Sequence, residues 1–166
     1  MKNHRGFFEI GIYHAKYEVN LGTLWRSAYL FGASGIFTIG KRQRHQSSDT
    51  IKTNRHIPLR EYSNFQDYKK GLPYGTQIVA LESNVEVSHN LQHFTHPLRT
   101  SYLLGAEDHG IPLNILVQCH FIVKIPTIAP ISLNVATAGS IIMFHRNLEM
   151  EKRNVKMAKN NTSLRS

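Results

Sequence analysis

FFEIGIYHAKYEVNLGTLWRSAYLFGASGIFTIG, residues 7–40, is the stretch on which the reading of the fold rests. FFEIGIYH (7–14) is an aromatic, β-branched run of strand length. In NLGTLWRSAYLFG (20–32), Leu21, Leu24, Trp25, Ala28 and Phe31 recur at the spacing of one helix face. Asn20 stands where an N-cap belongs, and Gly32 where a C′ residue belongs. GIFTIG (35–40) reads as a second strand. The unit is strand, helix, strand.

The alternation continues to the C-terminus. YSNFQDYKKG (62–71) predicts a short helix, TQIVALES (76–83) a strand, SHNLQHFTH (88–96) a weak helix or turn, and TSYLLGA (100–106) a strand. Ile111 to Gln118 fits a helix with Pro112 in its first turn, and CHFIVKIP (119–126) a last strand. SLNVATAGSIIMFHRNLEMEKR (132–153) is the longest helical segment. Only KRQRHQSSDTIKTNRHIPLR (41–60) lacks periodicity. The expected fold is α/β, a largely parallel sheet flanked by helices, in one domain over 1–153 with a basic, disordered tail over 154–166. Parallel sheets place ligands at the carboxyl ends of their strands. The segments after Tyr13, Gly40, Leu81, Leu104 and Ile125 are therefore where chemistry is expected.

The 166 residues suffice to bury a core without disulfides, and 41% hydrophobic composition excludes intrinsic disorder. Twenty Lys and Arg against eleven Asp and Glu give a formal charge of +9. That excess suits a polyanion, with nucleic acid ahead of an anionic membrane. The lone Cys119 cannot pair internally, which suggests a reducing compartment. Neither a signal peptide nor a membrane span is expected, since Glu9 interrupts the N-terminal apolar run and the other runs are short. A soluble, intracellular protein is expected, with the cytoplasm as its location.

Three strand ends hold distinctive clusters. Asn20-x5-Arg26 opens a helix directly after a strand; an N-cap and a solvated arginine would also account for it, but Trp25 and Ala28 beside Arg26 place it at the edge of a cleft. Leu104-Gly105-Ala106-Glu107-Asp108-His109-Gly110 has two glycines that permit tight turns, without the spacing of a dinucleotide or phosphate loop. Ile125-Pro126, followed by Ser132-Leu133-Asn134, joins the last strand to the long helix, with Ser132 as a possible N-cap.

In this order and at these spacings the clusters resemble the three motifs of the SpoU (TrmH-like) branch of the SPOUT RNA methyltransferases. NLGTLWRSAYLFGASGIFTIG is similar to the first, LLGAEDHGIP to the second, and IPTIAPISLNVATAGSIIMFH to the third; the similarity covers about residues 8–146. The resemblance implies a C-terminal trefoil knot, which ordinary connection rules would not suggest. It implies S-adenosylmethionine as cofactor, contacted by Leu81, Gly105, Ile125, Ser132 and Leu133, and a homodimer in which the final helix (Ala136, Ala138, Gly139, Ile141, Ile142, Phe144) contributes an interface. A central core helix is the alternative for that apolar surface.

The activity so implied is methyl transfer to a ribose 2′-hydroxyl of tRNA or rRNA. A ribose hydroxyl is a poor nucleophile until its proton leaves or its alkoxide is stabilised. Arg26 matches the family's proposed base, but a guanidinium stays protonated, so phosphate binding and oxyanion stabilisation suit it better. Asn20 and Asn134 would orient Arg26 or the ribose, Ser132 the cofactor or substrate, and Glu107 would brace its loop or pair with an arginine across the dimer. Lys41, Arg42, Arg44, Lys52 and Arg55, following the second strand, are expected with Arg26 to hold the RNA backbone. His89, His93 and His96 have helical spacing but no completing ligand, so no metal is expected, and Cys119 reads as a small hydrophobe. A catalytically silent RNA-binding knot protein and a base-methylating SPOUT enzyme are the alternatives. The chain departs from the minimal tRNA-acting members in YHAKYEVN and in 41–60, which leaves the RNA and the nucleotide open.

Overall fold

The structure, a computed structural model of the chain, describes residues 6–40, 56–86, 88–106 and 108–163. The strands are β1 (Phe7–Tyr13), β2 (Ile36–Ile39), β3 (Leu59–Tyr62), β4 (Gln77–Leu81), β5 (His89–Asn90), β6 (Arg99–Leu104) and β7 (Phe121–Lys124). They form a single sheet in the order β3-β2-β1-β6-β4-β7-β5, with every pairing parallel. The helices are α1 (Glu18–Phe31), α2 (Phe65–Gly71), α3 (Leu113–Leu116) and α4 (Val135–Ser163). The expected parallel sheet flanked by helices is what forms.

Side chains alternate across the sheet as the pleat requires. Phe8, Ile10 and Ile12 of β1, with Val79 and Leu81 of β4, pack against Leu24 and Ala28 of α1 and Ile142 and Met143 of α4. The opposite face sets Phe37, Ile39, Ile78, Ala80 and Leu103 against Phe65 and Tyr68 of α2 and Ile115 and Leu116 of α3. Both faces are covered, which is the usual condition of a parallel sheet. α1 and α4 approach closely at Gly139, where a Cβ would collide with the Leu24 side chain.

Several local expectations are corrected. α1 begins at Glu18 and is capped by Tyr17 without a side-chain bond, so Asn20 lies inside the first turn and is not its N-cap. An acidic residue at the start of a helix suits the macrodipole, which favours the earlier start. At the other end Gly32 is the cap, its N–H reaching the carbonyls of Ala28 and Tyr29. β3 emerges from sequence without alternation because it is an edge strand held by backbone pairing to β2. The 88–96 segment is a two-residue strand followed by a 3-10 turn at Leu91–His93. α4 is continuous from Val135 to Ser163. Residues 154–159 hold no Gly or Pro, and propagating an established helix is easy.

Two polar clusters lie within the apolar layers. On the α2 side, Arg60 donates to Glu9 Oε2 at 2.7 Å, Ser101 to Glu9 Oε1 at 2.9 Å, and Tyr68 to Ser101 at 2.7 Å. Burial raises the Glu9 carboxyl above its usual range, against the lowering effects of Ser101 and Arg60. On the α4 side, His96 is fully buried, with Nδ1 2.6 Å from the Tyr102 hydroxyl and Nε2 2.8 Å from His145 Nδ1. The His96 backbone N–H donates to Glu149. Both ring nitrogens of His96 are thus engaged by protein groups. Cys119 packs in the α2–α3 layer, its thiol donating to the Ile115 carbonyl, and burial pushes its pKa up to about 12. That is the behaviour of a small, partly buried hydrophobe.

Burial, then the neighbouring charge of His145 and Arg146, pushes His96 down to about 3 from an ordinary 6.5. Below pH 6.5 the unfolded chain takes up a proton that the folded chain refuses until about pH 3. Stability should therefore be complete above that window and fall as pH drops through it, by up to roughly 1.4 kcal/mol per pH unit. Urea denaturation across the window measures the slope, and His96→Gln should flatten it while lowering stability at neutral pH.

Candidate functional site

β6, β4 and β7 are neighbours in the sheet, and their carboxyl ends and following loops enclose a cavity of about 690 Å³. Leu81 ends β4, Gly105 follows β6, and Ile125 follows β7; Ser132, Leu133 and Asn134 approach from the segment entering α4. All five residues expected at the cofactor line this one cavity. They come from three separate regions of sequence. Its size falls within the range of small-molecule sites.

The loop after β6 folds back on itself. Ala106 and Gly110 form an antiparallel bridge, with the Gly110 N–H donating to the Ala106 carbonyl at 2.9 Å. Gly110 has φ +60°, the left-handed region that glycine adopts without cost. Asp108 pairs with Lys16 at 2.9 Å and so joins this loop to the β1–α1 connection. The bond from Lys16 lowers the Asp108 pKa, and its counterpart raises that of Lys16. Both side chains remain substantially exposed, so the pair orders the loop more than it stabilises the fold.

Asn134 links two of the expected motifs. Its Oδ1 accepts from the N–H groups of Ala136 at 2.9 Å and Thr137 at 3.3 Å, as an N-cap does. The cap of α4 is therefore Asn134 and not Ser132, which leaves Ser132 exposed at the cavity. Asn134 Nδ2 donates to Asn20 Oδ1 at 2.9 Å across 114 residues of sequence. The first-motif asparagine is thus held at the entry to α4.

Arg26 does not join them. It lies on the exposed face of α1, outside the cavity lining, and has no hydrogen-bond or ion-pair partner among the described residues. Its expected place at the edge of this cleft is not what the single chain shows. Six residues of helix carry it about 9 Å along the α1 axis from Asn20, away from the carboxyl ends of the strands. Glu107, Lys41, Arg42, Arg44, Lys52 and Arg55 lie outside the described residues. Glu82 lines the cavity and was not singled out from sequence; Asp108 and Gly110, which also line it, belong to the loop marked there. The signal for Glu82 was its position: it is the first residue past a central parallel strand.

Comparison with known proteins agrees with this geometry. The model of the SpoU rRNA Methylase family matches residues 8–144. A protein of Archaeoglobus fulgidus named "Uncharacterized tRNA/rRNA methyltransferase" is 29% identical over 131 residues, covering 75% of this chain. The chain spans 57% of that relative's length. A structure titled for the 2-OH methylation of C/U34 on tRNA superposes with a TM-score of 0.78 over 89% of this chain and 99% of that one, at 21% identity. The AdoMet-bound rRNA methyltransferase of Sinorhizobium meliloti has a TM-score of 0.73 and 25% identity, over 85% of this chain and 56% of its own.

Asn134→Ala removes the α4 cap together with the link to Asn20, so it should destabilise the fold by about 1–2 kcal/mol. Asn20→Ala leaves the cap in place and should cost less. Chemical denaturation of both variants and of the double mutant checks the order, with the double close to Asn134→Ala alone.

Proposed function

The chain belongs to the SpoU rRNA methylase family, and from that premise we propose that it transfers a methyl group from S-adenosylmethionine to a ribose 2′-hydroxyl of tRNA or rRNA. The observation that carries this reading is the convergence of Leu81, Gly105, Ile125, Ser132 and Leu133 on one cavity at the carboxyl ends of adjacent parallel strands. The residues present suit the cofactor: the cavity is large enough for a nucleoside with a short tail, and its wall at the loop after β6 is backbone kept bare by glycine. Leu81, Gly105, Ile125, Ser132 and Leu133 would hold it, largely through backbone groups. When bound, S-adenosylmethionine supplies a methyl group already activated on a sulfonium.

What remains for the protein is to place the ribose oxygen and manage its proton. Arg26 is exposed outside the cofactor cavity, which suits contact with the RNA rather than with the cofactor. Its permanently charged guanidinium would hold a phosphate and, at the cavity of a second copy, stabilise the developing oxyanion. The paired amides of Asn20 and Asn134 would orient the ribose, and Ser132 the cofactor or substrate. Glu107 would brace the loop after β6 or pair with an arginine of a second copy.

A homodimer and the trefoil knot belong to the same proposal. Leu30 of α1 and Phe144 and Leu148 of α4 remain exposed in one chain, an apolar surface that a second copy would cover. For the knot, the supporting feature is that β4 lies between two later strands, after which α4 crosses to pack on α1. Lys41, Arg42, Arg44, Lys52 and Arg55 would serve the RNA backbone. A cytoplasmic location would suit such an RNA substrate; among the described residues no helix is long and apolar enough to cross a membrane.

Nucleoside mass spectrometry of RNA incubated with the protein and S-adenosylmethionine should reveal a 2′-O-methylated nucleoside. A base-methylated product, or none from a folded protein, would overturn the assignment. Arg26→Ala should abolish transfer while leaving cofactor affinity near wild type by calorimetry. With a formal charge of +9, RNA affinity should fall steeply with salt, and alanine at Lys41, Arg42 and Arg44 should flatten the plot of log affinity against log salt.

A further inference from the structure

Glu82 is the first residue beyond β4, and its groups bond in three directions. Its backbone N–H donates to the Val123 carbonyl of β7 at 3.1 Å. Its Oε1 accepts from the N–H groups of Ser83 at 3.0 Å and Asn84 at 3.4 Å, turning the chain away from the strand. Its Oε2 accepts from the N–H of Ile111 at 3.1 Å, across 29 residues of sequence. One residue therefore connects the end of β4 to β7 and to the far end of the 105–110 loop.

The fit at that loop is close. A Cβ on Gly110 would collide with Glu82 Oε2, so glycine there both adopts φ +60° and leaves room for the carboxylate. Gly105, in turn, packs directly on the Gly110 and Ile111 backbone. The height of Gly105 in the cavity wall thus depends on where Ile111 and Gly110 are held. Hydrogen bonds to a charged acceptor are the stronger kind, and a carboxylate offers two oxygens to donors on opposite sides.

We propose that Glu82 is the positioning residue of the cavity: its carboxylate sets the loop after β6 at the height where Gly105 can meet the cofactor. This rests on the reading of the cavity as the S-adenosylmethionine site. Glutamine at 82 keeps the shape but has one acceptor oxygen, so either Ile111 or the Ser83–Asn84 turn faces an NH2 group. Aspartate keeps the charge and is one carbon shorter, so it can serve the adjacent turn without reaching Ile111.

The test combines calorimetry with S-adenosylmethionine, steady-state kinetics and amide hydrogen exchange on the full chain. In the wild-type protein the Ile111 amide should be protected although it lies outside a strand or helix. Glu82→Gln and Glu82→Asp should each weaken cofactor binding about tenfold, raise the KM for the cofactor in parallel, and leave kcat at saturation within about threefold. Ile111 protection should fall while that of β4 and β6 persists. Rapid exchange of Ile111 in the wild type, wild-type affinity in Glu82→Asp, or a loss carried by kcat instead of KM would each overturn the proposal. A wild-type protein that binds no S-adenosylmethionine would instead overturn the cofactor reading, and this inference with it.

Discussion

Leu81 at the end of β4 stands opposite Leu104 of β6 on one side and Val123 of β7 on the other. This shared register brings three strand ends to one level, and the cavity exists because they stop together. A slip of one residue along β4 would turn Leu81 to the α2–α3 face and lift Glu82 from Ile111. The two-sided apolar burial of β4 makes such a slip costly, since Val79 and Leu81 fill one layer while Ile78 and Ala80 fill the other. Core packing and site geometry are thus one constraint.

The second constraint runs through α1 and α4. The helices meet where Gly139 leaves space for Leu24, and their starts are joined by the Asn20–Asn134 bond. Asn134 also caps α4, so the residue that begins the long helix is the one that reaches the first motif. The contact of buried His96 with half-buried His145 and the burial of Arg146 fix the same helix farther along. A helix held at both places gives the 131–134 segment a defined approach to the cavity.

Much of this was legible from residues alone. β1, α1 and β2 follow from apolar runs and from 3.6-residue spacing, which are local properties. Five residues that line the cavity were legible through motif resemblance, since each lies at a strand end or a helix entry. Less was legible where a residue's role depends on a distant partner. Leu59–Tyr62 shows no strand pattern because backbone pairing at a sheet edge asks little of side chains. Asn20 looked like a cap because capping residues are recognised by type, and type does not say that Asn134 claims its oxygen.

The sequence by itself determined the class of fold, most of its strand–helix alternation and the identity of its three motifs, because periodicity, turn residues and charge act over short stretches of chain. The tertiary structure alone decided that Glu82 faces Ile111, that Asn134 rather than Ser132 caps α4, and that Arg26 lies apart from the cavity. Each of these depends on strand register or on the direction in which a helix leaves the sheet. Such relations join residues tens of positions apart, and no local pattern encodes them.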